Sequence, residues 1–455
     1  MEAPAPKPRH DGWSVDKFPV APAEGMTRFH DFNLPSEIMH AVADLGFEYC
    51  TPVQAGTLPL TLGGKDVAGQ AQTGSGKTAA FLISILTRFL AGPDKGIRQP
   101  GTPRSLIIAP TRELAIQIFD DAQAIGKYTG FTNHAVFGGM DYGKQQEVLR
   151  HRQVDVLVAT PGRLLDFARR GDLDLRSVEA LVIDEADRML DMGFIPDVKT
   201  IIRHLPPREQ RQTLLFSATL TEDVLRLASQ WMVNPEKVTI KSDNVTVDTV
   251  NQRVYAVRSR DKFPLLVNLL RQPAMTRVMV FVNRRDAAAQ VSDDLQVCGI
   301  VCGLLSGAMP QEKRLRVLNG FREGKIPVVV ATDVAARGIH VDDVSHVINY
   351  DVPYEPADYV HRIGRTARVG KDGAAIMFAC EREAFTIPEI EKFIGMPIPC
   401  SVPEEAQIKP PPGMPHQHER RTMPPSRQGG GFRGRPQRGG RPGGGFRGSA
   451  GRTRR

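Results

Sequence analysis

AQTGSGKT, residues 71–78, decides how this chain of 455 residues is read. With Ala71 standing in for a first glycine, the stretch matches G-x-x-x-x-G-K-[ST]. The apolar pair Val67-Ala68 before it reads as the end of a strand, and the run from Ala79 to Leu86 after it as the start of a helix. Strand, Gly-rich loop and helix in that order make a phosphate-binding loop. Gln72, Thr73, Gly74, Ser75 and Gly76 supply backbone N–H groups that close around phosphate oxygens, and the helix N-terminus favours the negative charge. Lys77 is spaced to reach the β- and γ-phosphates, and the Thr78 hydroxyl to ligate Mg²⁺.

Length and composition suit two domains plus extensions, since hydrophobic residues make up 41% of the chain. Cys50, Cys298, Cys302, Cys380 and Cys400 are scattered, form no metal-ligand set, and read as reduced thiols of a cytoplasmic protein. The opening Met1-Glu2-Ala3-Pro4-Ala5-Pro6 lacks a basic flank and an apolar core, so no signal peptide is expected, and since no apolar run approaches the ~20 residues of a membrane span, no membrane association is expected either. The net charge of +8 is uneven: residues 418–455 hold eleven Arg and one Glu, a contribution of +10, which leaves about −2 for the rest.

Taken in order, residues 1–28 are Pro/Ala-rich and predict a disordered lead-in. Residues 29–240 predict a first α/β domain. Buried strands are expected at 105–109, 154–159, 180–183 and 213–216, each ending in small, polar or charged residues. That pattern predicts a doubly wound parallel sheet with function at the carboxyl ends of its strands. Residues 241–250 read as a linker. Residues 251–400 predict a second α/β domain without a phosphate loop, its strands at 278–282, 301–305, 328–331, 346–350 and 374–379 and a closing helix at 387–394. Two such domains with one loop place the site in the cleft between them. Residues 401–455, with repeats such as Gly431-Phe432-Arg433-Gly434, predict a disordered basic tail that attracts phosphates and stacks bases on Phe.

The chemistry gathers at a few strand ends. Asp184 is placed to hold Mg²⁺ through coordinated water, and Glu185 to polarise the water that attacks the γ-phosphate. Asp187 is suited to pair with Ser217-Ala218-Thr219 or with the other domain. Gln54 offers a donor and an acceptor to an adenine edge, as in DNA readout. Taken alone it reads rather as an ordinary polar residue at a helix start. Phe29 is an aromatic ring available for stacking on the base. From the second domain, Arg362, Arg365 and Arg368 surround Gly364 at i, i+3 and i+6. They face either the triphosphate, making hydrolysis depend on closure, or solvent and RNA.

Phe29, Gly46-Phe47 through Thr51-Pro52-Val53-Gln54, AQTGSGKT, PTRELA at 110–115, Gly138-Gly139, TPGR at 160–163, DEAD at 184–187, SAT at 217–219, ATDVAARG at 331–338 and HRIGRTAR at 361–368 occur in that order. In this set the chain resembles the DEAD-box RNA helicase family, over about residues 29–380. Gly69-Gln70, His340, the segment Cys380-Glu381-Arg382-Glu383 and the basic tail further resemble the bacterial RhlB group.

The resemblance implies two tandem RecA-like domains that close over ATP·Mg²⁺ and RNA, and an ATP-dependent RNA helicase that unwinds short duplexes locally. Phe29 and Gln54 would read adenine. Asp333 and Gly338 would meet the nucleotide from the second domain, with Arg365 as arginine finger and Arg362 beside it. Ser217, Thr219, Asp187 and His361 would couple the ATP site to RNA. Pro110, Thr111, Arg112, Gly139, Thr160 and Arg163 would contact the RNA backbone from the first domain, and Gln311, Arg314 and Thr332 from the second. Such contacts carry no strong sequence preference. The RhlB likeness implies an RNase E-type endonuclease as partner in RNA decay. Two residues depart from the family pattern: His340 stands where Asp is common, and Ala367 replaces a common Gly. An RNA scaffold or annealer driven by the tail, a DNA helicase, and a role in ribosome assembly are the competing readings.

Overall fold

The computed structural model describes residues 12–72, 74–93, 96, 98–240, 250–307, 309–336, 344–366 and 373–412. Strands β1 (Val67–Gln70), β2 (Ser105–Ile108), β3 (Asn133–Val136), β4 (Val156–Ala159), β5 (Ala180–Ile183), β6 (Gln212–Ser217) and β7 (Glu236–Thr239) form one sheet in the order β3-β4-β2-β5-β6-β1-β7. Strands β8 (Val250–Ala256), β9 (Val278–Phe281), β10 (Cys302–Leu305), β11 (Val328–Ala331), β12 (His346–Asn349), β13 (Gly373–Ala379) and β14 (Cys400–Ser401) form a second, in the order β10-β11-β9-β12-β13-β8-β14. Every strand pair is parallel. Counting from the first strand of each sheet, the two orders are the same, so the α/β unit is built twice.

β2, β4 and β5 are buried along their whole length. Short apolar runs of this kind are stable only where helices cover both faces of a parallel sheet. Helix Lys77–Ala91, directly after the phosphate loop, buries eleven of its fifteen residues, among them Phe81, Leu82 and Phe89. A helix apolar on nearly all sides must lie inside the domain. It packs against helix Pro52–Leu62, where the Thr61 and Ser84 hydroxyls meet at 2.6 Å. Burying a ring such as Phe81 or Phe216, both fully buried, contributes roughly 1.5–3 kcal/mol each.

The structure corrects the expected boundaries. Residues 12–28, read as disordered, pack on the first domain: Trp13 stacks on His40 at 4.6 Å and His40 on Tyr128 at 3.7 Å. Tyr49 Oη also donates to the Ala21 carbonyl at 2.8 Å. One aromatic anchor is enough to hold a polar segment that has no core of its own. Residues 401–412 likewise belong to the second domain and not to the tail. β14 adds to the edge of its sheet, and Asn268 Nδ2 donates to the carbonyls of Gln407 and Lys409 beside the short helix Glu405–Ile408. Val250, assigned to the linker, opens β8. The rest of that linker, and the Arg/Gly repeats, lie outside the described residues. All five cysteines are free thiols, and no described helix is long and apolar enough to cross a membrane.

Candidate active site in the cleft between the two sheets

The carboxyl ends of β1, β5 and β6 converge. β1 pairs with β6 in register Gln70 to Ser217, and the Ala71 N–H donates to the Ser217 carbonyl at 2.8 Å, which ties the phosphate loop to the SAT segment. Gly74 and Gly76 adopt φ of 87° and 90°, conformations suited to glycine. A Cβ on Gly76 would also fall 2.7 Å from Gln54 Nε2. Ser75 Oγ donates to the Gln72 carbonyl, and Thr78 lies in the first turn of the helix that follows. Thr73 lies outside the described residues.

The two expected adenine readers are placed otherwise. Gln54 is 3% exposed; its Oε1 accepts from Thr51 N at 2.8 Å and its Nε2 donates to the Gly76 carbonyl at 3.1 Å. Its amide closes the capping box of helix Pro52–Leu62 and braces the phosphate loop. Phe29 is fully buried beside Phe47, their ring centres 6.2 Å apart, where its apolar face gains more from the core than from solvent.

Lys77 Nζ donates to Asp184 Oδ1 at 2.5 Å, both side chains being almost wholly buried. Burial pushes the Asp184 carboxyl up from the usual range while the Lys77 ammonium pulls it back. Asp184 Oδ2 is buried without a hydrogen-bond partner, an orphaned acceptor of the kind a hard cation satisfies. Glu185 adopts the left-handed region at φ 57°, rare for a residue with a side chain, and costs on the order of 1 kcal/mol there. Its N–H donates to Asp184 Oδ1, and its carboxylate is paired with Arg188 one turn on. The sequence reading passes over Arg188, although the i,i+3 spacing from Glu185 is visible. Asp187 Oδ2 accepts from the Thr219 N–H at 3.0 Å and Oγ1 at 3.1 Å, and the Asp187 N–H donates to Ser217 Oγ.

Across the cleft the second sheet contributes His361, Gly364 and Arg365. They line one pocket with Gln72, Lys77, Glu185, Asp187 and Arg188. Arg362 does not join them. It is 1% exposed and directed into its own domain, donating to Asp333 Oδ1 and Oδ2, the Asn283 and Asn349 side chains and the Asp351 carbonyl. The expectation that Arg362 faces the triphosphate is therefore corrected: residues at i and i+4, His361 and Arg365, share the cleft side, and Arg362 points inward. Asp333, expected at the nucleotide, is held by the same guanidinium. Gly338, His340, Ala367 and Arg368 lie outside the described residues.

Burial lowers the His361 pKa, helped by Arg188 and Arg365 and opposed by Asp187 and Asp358. Its folded value thus lies below the ordinary 6.5, so stability is whole above 6.5 and is lost as pH falls from there toward the lowered value. Burial lowers His134 and His346 as well, so His361 is isolated by difference. The drop in Tm between about pH 7.5 and about pH 5.5 is expected to be smaller in His361→Asn than in the parent. Equal drops would assign the pH response elsewhere.

The residues expected to contact RNA lie along the same edge of the sheets. Pro110 and Thr111 end the turn after β2, with Thr111 Oγ1 capping helix Arg112–Ile125. Arg112 lies over Gly139, where a Cβ would fall 2.0 Å from its guanidinium. Thr160 precedes helix Pro161–Arg169, and Arg163 lies against the Tyr142 ring at 5.1 Å. Thr332 follows β11, its Oγ1 buried and unpartnered. Arg314 departs from expectation: its Nε pairs with Glu113 Oε1 of the first domain at 2.7 Å, and its Nη2 donates to the Ala335 carbonyl. A carboxylate within reach in a buried setting takes the guanidinium. Gln311 opens the same helix, Gln311–Arg322.

Two parallel sheets of one topology, with a phosphate loop, an acidic strand end and an opposing arginine in the cleft between them, define a tandem RecA-like ATPase. The family model for DEAD/DEAH box helicases matches residues 51–227, and that for the helicase conserved C-terminal domain matches residues 261–370. The chain belongs to the DEAD-box helicase family. It is 57% identical over 393 residues to ATP-dependent RNA helicase RhlB of Pseudomonas aeruginosa, covering 86% of this chain and 99% of the relative. To RhlB of Pseudomonas putida it is 55% identical, covering 87% and 100%. The structure of S. cerevisiae Dbp5 bound to RNA and ADP BeF3 superposes with a TM-score of 0.72 at 31% identity, covering 83% of this chain and 96% of that one. Mss116p bound to ssRNA and AMP-PNP superposes with a TM-score of 0.75 at 28% identity, covering 86% and 82%. At 55–57% identity to the two RhlB proteins over nearly their whole length, the chain is an ATP-dependent RNA helicase of the RhlB group.

Proposed function

We propose that this chain separates short RNA duplexes locally by closing its two domains, residues 29–240 and 251–400, over ATP and RNA. The observation that carries the reading is that Lys77 and Arg365 line one cleft with Glu185. The phosphate loop, residues 71–78, binds the triphosphate, and Arg365 reaches its terminal phosphate from the second domain. Glu185 orients the attacking water, and Arg188 holds that carboxylate in place. Thr78 and Asp184 would hold Mg²⁺, which neutralises phosphate charge when bound; the orphaned Asp184 Oδ2 suits it. Asp333 and Gly338 approach the nucleotide from the second domain. Gln54 reaches it through its brace on Gly76.

RNA runs over Pro110, Thr111, Arg112, Gly139, Thr160 and Arg163, then over Gln311, Arg314 and Thr332. For Arg314 to take a phosphate, Glu113 must give it up. Asp187, held by Ser217 and Thr219 and facing His361, couples the two sites. The setting we infer is cytoplasmic RNA decay, with an RNase E-type endonuclease on the second domain.

The test compares ATP hydrolysis stimulated by RNA and by DNA of one sequence, together with separation of a short RNA duplex. Stimulation by RNA is expected to exceed that by DNA by at least about tenfold, since 2′-hydroxyl contacts tell the two apart. Equal stimulation would favour a DNA translocase. Duplex annealing without ATP-dependent separation would favour a scaffold.

A further inference from the structure

The segment from Cys380 to Glu383 has no part in the chemistry above, yet partly buried polar contacts tie it to the cleft. Lys262, first residue of helix Lys262–Leu270, is 4% exposed. Its Nζ donates to Glu383 Oε2 at 2.5 Å and to Asp351 Oδ1 at 3.4 Å, and lies 5.6 Å from the centre of the Tyr350 ring. Glu383 Oε2 also accepts from Cys380 Sγ at 3.0 Å. Asp351 Oδ2 accepts from the Asn283 N–H at 3.0 Å. Asn283 Oδ1 accepts from Arg362 Nη2 at 2.7 Å, and the Asp351 carbonyl from Arg362 Nη1 at 2.9 Å. One line of contacts thus runs from the turn after β13, past the ends of β12 and β9, to Arg362. That arginine sits in the last turn of helix Pro356–Ile363; His361 on the same turn and Arg365 just past the helix end reach the cleft.

We propose that Lys262 is a positioning residue for ATP hydrolysis. It holds the Asp351 and Glu383 carboxylates together, which fixes Asn283, then Arg362, then the helix end that presents Arg365. Without the ammonium, two half-buried carboxylates lie close together and repel, so the Asp351 carboxylate swings out and releases the Asn283 N–H, and with it the Asn283 side chain that holds Arg362. The helix end then loses its anchor while the phosphate loop, on the other domain, is untouched. This inference rests on Arg365 acting as the arginine finger, and the experiment separates the two.

Hydrolysis at saturating RNA is measured for full-length parent, Lys262→Met, Lys262→Arg, Arg365→Ala and the double variant Lys262→Met/Arg365→Ala. Lys262→Met is expected to lower kcat about tenfold with the KM for ATP within about threefold, because a mispositioned finger harms only the transition state. Lys262→Arg, which keeps the charge, is expected to recover most of the loss. In the double variant Lys262→Met is expected to add nothing to Arg365→Ala, since both remove one interaction. A parent-like kcat in Lys262→Met, or losses that multiply in the double variant, would overturn the positioning role while leaving the finger in place. A parent-like kcat in Arg365→Ala would instead remove the finger, and the inference with it. Should Lys262→Met fail to fold, Asn283→Ala cuts the same line next to Arg362 and carries the same expectations and the same contrary results.

Discussion

Replacing Glu185 with Gln is expected to lower RNA-stimulated ATP turnover by roughly a hundredfold to ten-thousandfold, the range that a positioned acid or base supplies. The change is nearly isosteric. Glu185 is 4% exposed, its backbone is set by its N–H bond to Asp184, and a Gln carbonyl still accepts from Arg188. What is lost is the negative charge that polarises a water beside the γ-phosphate. The phosphate loop and Lys77 are untouched, so the Kd for ATP is expected to stay within about threefold, which makes the effect one of kcat. A modest fall in Tm should accompany it, since Arg188 then keeps a buried positive charge with only a neutral acceptor. Turnover within about threefold of the parent would refute Glu185 as the group that orients water, and would move that role to Asp187 or to Gln72 in the same pocket.

The sequence discloses most where physics leaves one option. Short apolar runs at β2, β4 and β5 read as interior strands of a covered parallel sheet, and a Gly-rich loop between a strand and an apolar helix reads as an anion cradle. It is silent where a strand is short and at an edge. β3 and β7 carry Asn133, His134, Glu236 and Lys237 and lie half-buried or exposed, so no apolar run marks them. It misleads where a residue type has two good partners. Arg314 reads as a phosphate ligand, and a guanidinium does bind phosphate, but here it is paired with the Glu113 carboxylate of the other domain. Phe29 and Gln54 read as base contacts because rings stack and amides pair; the fold uses one in the core and the other as a cap. Spacing alone also leaves the rotation of a helix undetermined, which is why three arginines in HRIGRTAR read as one face.

That rotation sets the other large effect. Arg365→Ala is expected to reduce kcat about a thousandfold, as loss of an arginine finger does, with RNA and ATP still bound. Arg365→Lys is expected to recover only a small part, because a point charge does not reproduce the planar fork that grips phosphate oxygens. Arg362→Ala is expected to behave differently. Its guanidinium bonds Asp333, Asn283, Asn349 and the Asp351 carbonyl inside the second domain, so its removal leaves Asp333 without its cation and lowers stability by about 3–5 kcal/mol. One arginine thus changes the rate at nearly constant Tm, and the other changes Tm first. Both variants are read by thermal unfolding and by single-turnover hydrolysis on the same preparations. If Arg365→Ala lost its Tm while Arg362→Ala lost only its rate, the two roles would be exchanged. The cleft would then be closed by the residue now buried against Phe281, which lies 5.3 Å from that guanidinium. Such an exchange requires the helix Pro356–Ile363 to turn by roughly 60° about its axis, the angle between positions three apart, which would carry Tyr359 out of the core and break its bond to Gln252. Burial of Tyr359 at 1% exposure opposes that turn, and it is the packing reason for expecting Arg365 at the phosphate.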